Sequence, residues 1–121
     1  MTMEFTVAPV KASVTVAELD KIDIRVGTIT SVENVSGSDR LVRLIVDFGD
    51  RRRNILAGMK QERDDPRAIE GAQALFVVNL EPRKIMGELS EGMLFDIGYA
   101  DGLRPVLAVP ESTVPNGTRV G

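Results

Sequence analysis

The chain has 121 residues, 15 Lys and Arg against 18 Asp and Glu, a net charge of −3, and neither Cys nor His. That length makes one domain the default and is enough to bury a core without staples, while the missing residues exclude disulfides, thiolate chemistry, zinc sites built on Cys or His, and any Ser-His-Asp triad. No apolar run approaches the roughly 20 residues of a membrane span, and the Met1-Thr2-Met3-Glu4-Phe5 start lacks the basic-then-apolar order of a secretion signal, so a cytoplasmic protein with no metal and no cofactor is expected. Residues 1–13 contain Pro9 and no clear period, and read as an N-terminal arm to a domain over residues 14–121. Thr15-Val16-Ala17-Glu18 fits a capping box, with Val16 and Leu19 on one face of a single short helix. Ile22, Ile24 and Val26 alternate with polar positions as in a half-buried strand. After Gly27 the apolar phase slips to Ile29, Val32 and Val35, which predicts a bulge or sharp coil at Gly27 in one long bent strand.

Ser36-Gly37-Ser38-Asp39 is a turn by composition. Leu41 to Phe48 follows as a strand, with Val42, Leu44, Val46 and Phe48 on one face. Gly49-Asp50 closes a hairpin, and Asn54-Ile55-Leu56-Ala57 pairs back to end at Gly58. Asp65 as N-cap, Pro66 at the first position and Gly71 as the stop predict a short helix. Gln73 to Leu80 is a fourth, well-buried strand and Gly92 to Tyr99 a fifth. Three strands, a short helix and two more strands is the order of an all-β, five-stranded oligonucleotide-binding (OB-fold) barrel. Periodicity alone leaves an open sandwich as the alternative.

Between the fourth and fifth strands runs Asn79-Leu80-Glu81-Pro82-Arg83-Lys84-Ile85-Met86-Gly87-Glu88-Leu89-Ser90-Glu91-Gly92-Met93. Pro82 cannot donate to a ladder, and Gly87 and Gly92 admit backbone conformations closed to other residues, so the stretch reads as a shaped loop with two cations at its entrance, with a surface hairpin of solvated charges as the plainer alternative. Charge is unevenly spread. From Arg40 to Arg63 seven bases face three acids, whereas residues 1–39 and 64–100 are acidic, a pattern suited to focused rather than blanket anion binding.

The Asn79–Met93 run resembles the signature of the tRNA-binding OB-fold domain that is appended to methionyl- and phenylalanyl-tRNA synthetases and also occurs as small free-standing homodimers. The family pattern, Asn-Leu-x-Pro-x-Lys-[Leu/Ile]-x-Gly-x-x-Ser-x-Gly-Met, is met at each fixed position. Asp23-Ile24-Arg25-Val26-Gly27 is similar to the family's opening strand, Ser38-Asp39-Arg40-Leu41 to its Ala-Asp-Lys-Leu turn, Asn54 to Met59 to its next strand, and Val114-Pro115-Asn116-Gly117 to its closing segment. Where the family often has His-Pro, this chain has Val35-Ser36-Gly37. The CsaA secretion chaperones are a sister branch; Asp47-Phe48-Gly49 and the closing segment look more like theirs, while Ala57-Gly58 and Ser90-Glu91-Gly92-Met93 keep to the tRNA side.

The resemblance implies a non-catalytic protein that binds tRNA. Arg83 and Lys84 are expected on phosphates, Asn79 and Ser90 on sugar or base edges, Met86 and Met93 in apolar contact, and Arg40, Arg53 and Lys60 along an extended positive track. Phe48, Phe76 and Phe95 fall in strands, and Tyr99 is the one tyrosine, so a stacking platform is poorly supplied. Folded RNA read by shape and backbone fits better. Expected partners are tRNA, a second copy of the chain and an aminoacyl-tRNA synthetase. The alternative is an export chaperone that binds unfolded or precursor polypeptides at a dimer surface. Carboxylates are plentiful, but no pair has a context that predicts catalysis.

Overall fold

Eleven consecutive residues, Ile24–Asn34, form β1, and the rest of the sheet is built on its two halves. The computed structural model describes residues 5–121; the first part of the expected arm, residues 1–4, lies outside the described residues. The other elements are α1 (Val16–Leu19), β2 (Val42–Asp47), β3 (Arg52–Ala57), β4 (Gln73–Val77), β5 (Arg83–Ile85), β6 (Glu88–Ser90), β7 (Met93–Leu94), β8 (Asp96–Ile97) and β9 (Val106–Leu107), with 3-10 turns at Pro66–Ile69 and Tyr99–Asp101. The first half of β1 pairs antiparallel with β4, Ile24 to Thr28 against Val77 to Gln73. The second half pairs antiparallel with β2, Thr28 to Asn34 against Asp47 to Val42. One strand thus serves two neighbours, as expected of a bent strand that turns a barrel corner. The irregularity lies between Ile29 and Ser31 rather than at Gly27. There the Thr30 hydroxyl donates to the Ile45 carbonyl at 2.9 Å, which takes up an acceptor beside the break in the ladder.

The full sheet has the order β3-β2-β1-β4-β7 and curls into a half-barrel. No ladder joins β3 to β7, so backbone pairing stops short of the closed barrel expected. The seam is spanned instead by Glu91 N donating to Asn54 O at 2.9 Å. Inward positions fill the core as the alternation requires: Val42, Leu44 and Val46 of β2 are buried, with Ile29, Ile55 and Phe76. Phe48 and Phe76 meet edge to face, ring centroids 5.4 Å apart, the arrangement favoured by aromatic quadrupoles.

The local signals around the helices hold. Thr15 Oγ1 accepts from Glu18 N at 3.0 Å and Glu18 Oε1 accepts from Thr15 N at 3.1 Å, a complete capping box. Asp65 Oδ1 accepts from Arg67 N at 3.1 Å, but the segment it starts is a single 3-10 turn; its Ile69 plugs the core. The fifth strand is shorter than expected. β7 ends at Leu94, and Asp96-Ile97 leaves the main sheet to pair with β9.

Candidate nucleic-acid interface

The signature stretch is a β-hairpin, the plainer of its two sequence readings, with Arg83, Lys84 and Ile85 opposite Ser90, Leu89 and Glu88. Its two-residue tip, Met86-Gly87, has positive φ at both positions (53° and 79°), as a type I′ turn demands. Glycine meets that demand freely; methionine seldom does. The hairpin is held to the sheet at three points. Ile85 packs on the buried cluster of Val35, Leu41 and Leu56. Arg43 of β2 donates from Nε to Glu88 Oε1 at 2.7 Å and from Nη1 to Glu33 Oε1 at 2.9 Å; these two carboxylates, Glu33 first, raise the guanidinium's already high pKa. Ser90 is buried, accepting from Leu56 N at 3.0 Å and donating to Gly92 O at 3.3 Å. Removing that hydroxyl would strand the Leu56 N–H, at a cost of about 1–3 kcal/mol.

Because β5 is a regular strand, the adjacent Arg83 and Lys84 project to opposite faces. The entrance expected as a shaped loop is thus a regular strand, and its two cations do not share a face. Arg83 lines an open groove of about 490 Å³, whose apolar lining includes Leu56, Met93, Leu94 and Leu107. Arg40 and Arg63 line the same groove. Among the described residues none of these three guanidiniums has a hydrogen bond or ion pair, whereas Arg25, Arg43 and Arg51 each have a carboxylate partner. Two carboxylates, Glu62 and Asp96, also line the groove, so its cations are in modest excess.

The structure brings together Arg40, Arg83 and Met93 of the nine residues singled out from the sequence. Lys60 lies beside them, its Nζ donating to Ser38 O at 3.0 Å and its backbone N to Arg40 O at 3.0 Å. Lys84 and Met86 are exposed on the hairpin away from the groove lining. The other three hydrogen-bond to the chain's own backbone. Asn79 accepts from Asp23 N at 2.8 Å and donates to Lys21 O at 2.6 Å, clipping the segment between α1 and β1. Ser90 is buried as described. Arg53 donates to Val78 O at 2.6 Å, sits 5.9 Å from the Phe48 ring centroid, and lines a separate hollow of about 150 Å³ with Asp23, Arg25 and Asp50. In that hollow the Arg25 guanidinium, hydrogen-bonded to Asp23 at 2.7 and 3.0 Å, holds the Asp23 carboxyl below the usual carboxylate range.

Two groove residues were not singled out. Arg63 is counted in the basic stretch but matches no motif position. Tyr99 ends the fifth strand in the sequence reading, yet here it stands on a 3-10 turn, 63% exposed, on the groove rim. A lone tyrosine between Gly98 and the Asp101-Gly102 turn is the one local sign that it lies outside the core. Among the described residues no cluster of three or more carboxylates forms a metal site, and no helix is long and apolar enough to cross a membrane.

Comparison with known proteins places the chain in a family. A model of the family described as "Putative tRNA binding domain" matches residues 24–119. The methionine–tRNA ligase of Nitrosomonas europaea is 36% identical over 114 residues, which is 94% of this chain but 16% of the ligase, so the chain spans about a sixth of that relative. Among solved structures, the MetRS related protein from Pyrococcus horikoshii superposes with a TM-score of 0.84 at 33% identity, covering 92% of this chain and all of that one. The chaperone CsaA from Bacillus anthracis superposes with a TM-score of 0.77 at 28% identity over 91% of this chain and all of its own. With its signature hairpin intact and the family's pattern running from β1 to the closing segment, the chain belongs to the tRNA-binding domain family.

Proposed function

We propose that residues 14–121 act in the cytoplasm as a non-catalytic module that grips folded tRNA along the groove beside the β5–β6 hairpin, in the service of an aminoacyl-tRNA synthetase. The observation that carries this reading is the set of three arginines, Arg40, Arg63 and Arg83, gathered without ion-pair partners among the described residues around one groove. A guanidinium presents a planar fork that matches a phosphate, and the three outnumber the two carboxylates, Glu62 and Asp96, that share the groove. The hairpin is rigid enough to hold one of them, since its tip, its ion pair and its buried serine all constrain it.

The test is a tRNA titration at several salt concentrations. Replacing Arg40 and Arg83 together by alanine should weaken binding and flatten the slope of log affinity against log salt by roughly one to two units. Lys84→Ala, on the other face of β5, should lose less than Arg83→Ala. The pair Arg51→Ala/Arg52→Ala, on the β2–β3 turn, should lose least. An Arg40/Arg83 variant that stays folded and keeps parental affinity and slope removes the groove as the tRNA site.

A second reading rests on a separate observation. Val7, Val10, Val14, Val16, Leu19 and Ile22, in the arm, α1 and the approach to β1, are all at least half exposed or close to it. We infer that a second copy of the chain covers this apolar segment in a homodimer. Sedimentation equilibrium at micromolar concentration should then give twice the 13.2 kDa of one chain, and a purely monomeric distribution would remove the dimer. The structural likeness to CsaA keeps a polypeptide-binding function in view at that surface. The two ligand classes separate by ranking: tRNA should bind more tightly than an unfolded or signal-peptide-like polypeptide, and the reverse order would favour the chaperone reading.

A further inference from the structure

The groove has a feature that phosphate binding does not use. Tyr99 stands on the ridge between this groove and a second hollow formed with Asp64, Leu103 and Arg104. Its turn is braced: Gly98 and Gly102 on either side have left-handed conformations, Gly102 N donates to Tyr99 O at 3.1 Å, Leu103 N donates to Gly98 O at 2.9 Å, and Asp96 Oδ1 accepts from Tyr99 N at 3.3 Å. The ring is therefore carried on an ordered support while remaining mostly in solvent. On the groove side it borders the apolar lining, and the three arginines share that lining. A volume of about 490 Å³ falls within the range of roughly 300–1,000 Å³ typical of small-molecule sites. It suits one nucleotide and is too small for a helix.

We propose that Tyr99 stacks on a single unpaired nucleotide, whose base enters the groove while Arg40 and Arg83 hold the flanking phosphates. This rests on the tRNA reading above and adds what within a folded RNA is selected. A base inside a duplex has both faces covered by its neighbours and cannot reach a ring, whereas an unpaired base in a loop or at an end can splay out and stack. Every base has a π face, so the contact tolerates sequence and selects for an exposed nucleotide. A polypeptide fits less well, because an apolar side chain would leave three arginines unneutralised.

The chain offers a direct probe. It has one tyrosine and no tryptophan, so tyrosine fluorescence reports Tyr99 alone. Titration of the full chain with tRNA, and with a stem–loop RNA, should quench that fluorescence in step with binding measured by filter retention. A blunt-ended RNA duplex of equal length should bind more weakly and leave it unchanged. Tyr99→Ala should lower affinity for tRNA by roughly five- to a hundred-fold, and Tyr99→Phe should restore most of it, since the ring and not the hydroxyl makes the stack. Wild-type protein that saturates with tRNA without any fluorescence change, or Tyr99→Ala that binds tRNA at parental affinity, overturns the stacking while the tRNA reading stands. Wild-type protein that binds no RNA, with quenching by an apolar peptide instead, overturns both. The fluorescence arm uses unaltered protein, so it decides the matter even if a substitution disturbs the fold.

Discussion

Gly27→Val should destabilise the protein by about 3 kcal/mol, measured as a lower urea midpoint at unchanged slope. The cause is space and not backbone freedom. Gly27 is buried in β1, paired with Ala74 of β4. A Cβ there would lie 2.6 Å from Val46 Cγ1 and 2.8 and 2.9 Å from two atoms of the Phe48 ring. Both neighbours are core residues, with Phe48 already committed to its edge-to-face contact with Phe76. A branched side chain therefore has to expel one of them or push β1 away from β2. With total stabilities of about 5–15 kcal/mol for ordinary domains, such a loss is a large share. Gly27→Ala should fall in the same direction with a smaller loss. A valine variant as stable as the parent would mean that the Phe48 ring moves aside without cost.

This residue also shows where sequence reading stops. A glycine before a phase slip reads as a bulge, because local pattern reveals that the period changes but not which atom is crowded. The slip itself falls at Thr30, and the glycine serves a side chain 21 positions away. Signals carried by a few adjacent residues were legible: the Thr15–Glu18 capping box, the Asp65-Pro66 start, the alternation of β2 and the Gly49-Asp50 turn. The β5–β6 hairpin was legible only as the plainer alternative to a shaped loop. Strands of three residues are too short to show a period, its tip lacks the Asn-Gly signature of its turn type, and the Arg43 that holds Glu88 is 45 residues distant.

The same division runs through the site. Arg40, Arg83 and Met93 were reachable from the charge run and the signature. Arg63 belonged to the charge run without being singled out, and Tyr99 was not reachable, since the groove joins segments separated in the chain and burial decides which aromatic is free. Phe48 and Phe76 are consumed by the core, neither Phe5 nor Phe95 lines the groove, and Tyr99 is the aromatic ring on its rim. Asn79 and Ser90 stood out as polar residues of the signature. Their polar atoms are spent on Lys21, Asp23, Leu56 and Gly92, which sets the path of the hairpin and of the segment before β1. A polar residue in a motif has the same sequence signature in either role; only its partners separate the two.

Gly117→Val should cost roughly 3–5 kcal/mol, from about 1–3 of backbone strain and a similar amount of overpacking. The closing segment lies along the free edge of the first half of β1, with Gly117 N donating to Val26 O at 2.7 Å and Val26 N to Thr118 O at 2.9 Å. It is docked by Gln73, whose amide donates to Val114 O at 2.6 Å and accepts from Val114 N at 3.1 Å, and by Thr28, whose hydroxyl donates to Asn116 Oδ1 at 2.8 Å. To pass between these anchors Gly117 takes a φ of +89°, which a β-branched residue adopts only with strain. Its backbone also runs so close to the Phe48 carbonyl that a Cβ would overlap that oxygen, and a backbone oxygen in a hairpin turn cannot rotate away as a side chain can. The Asn-Gly pair thus works as a tight approach to the β2–β3 turn as well as a turn of its own. Gly27 and Gly117 crowd the same residue, Phe48, from its ring and from its carbonyl. The double variant should therefore lose less than the sum of the two single losses, because whichever substitution displaces Phe48 first relieves the other. Urea unfolding of the two single variants and the double variant measures that coupling. Strict additivity would place the two glycines in independent parts of the fold and remove Phe48 as their common contact.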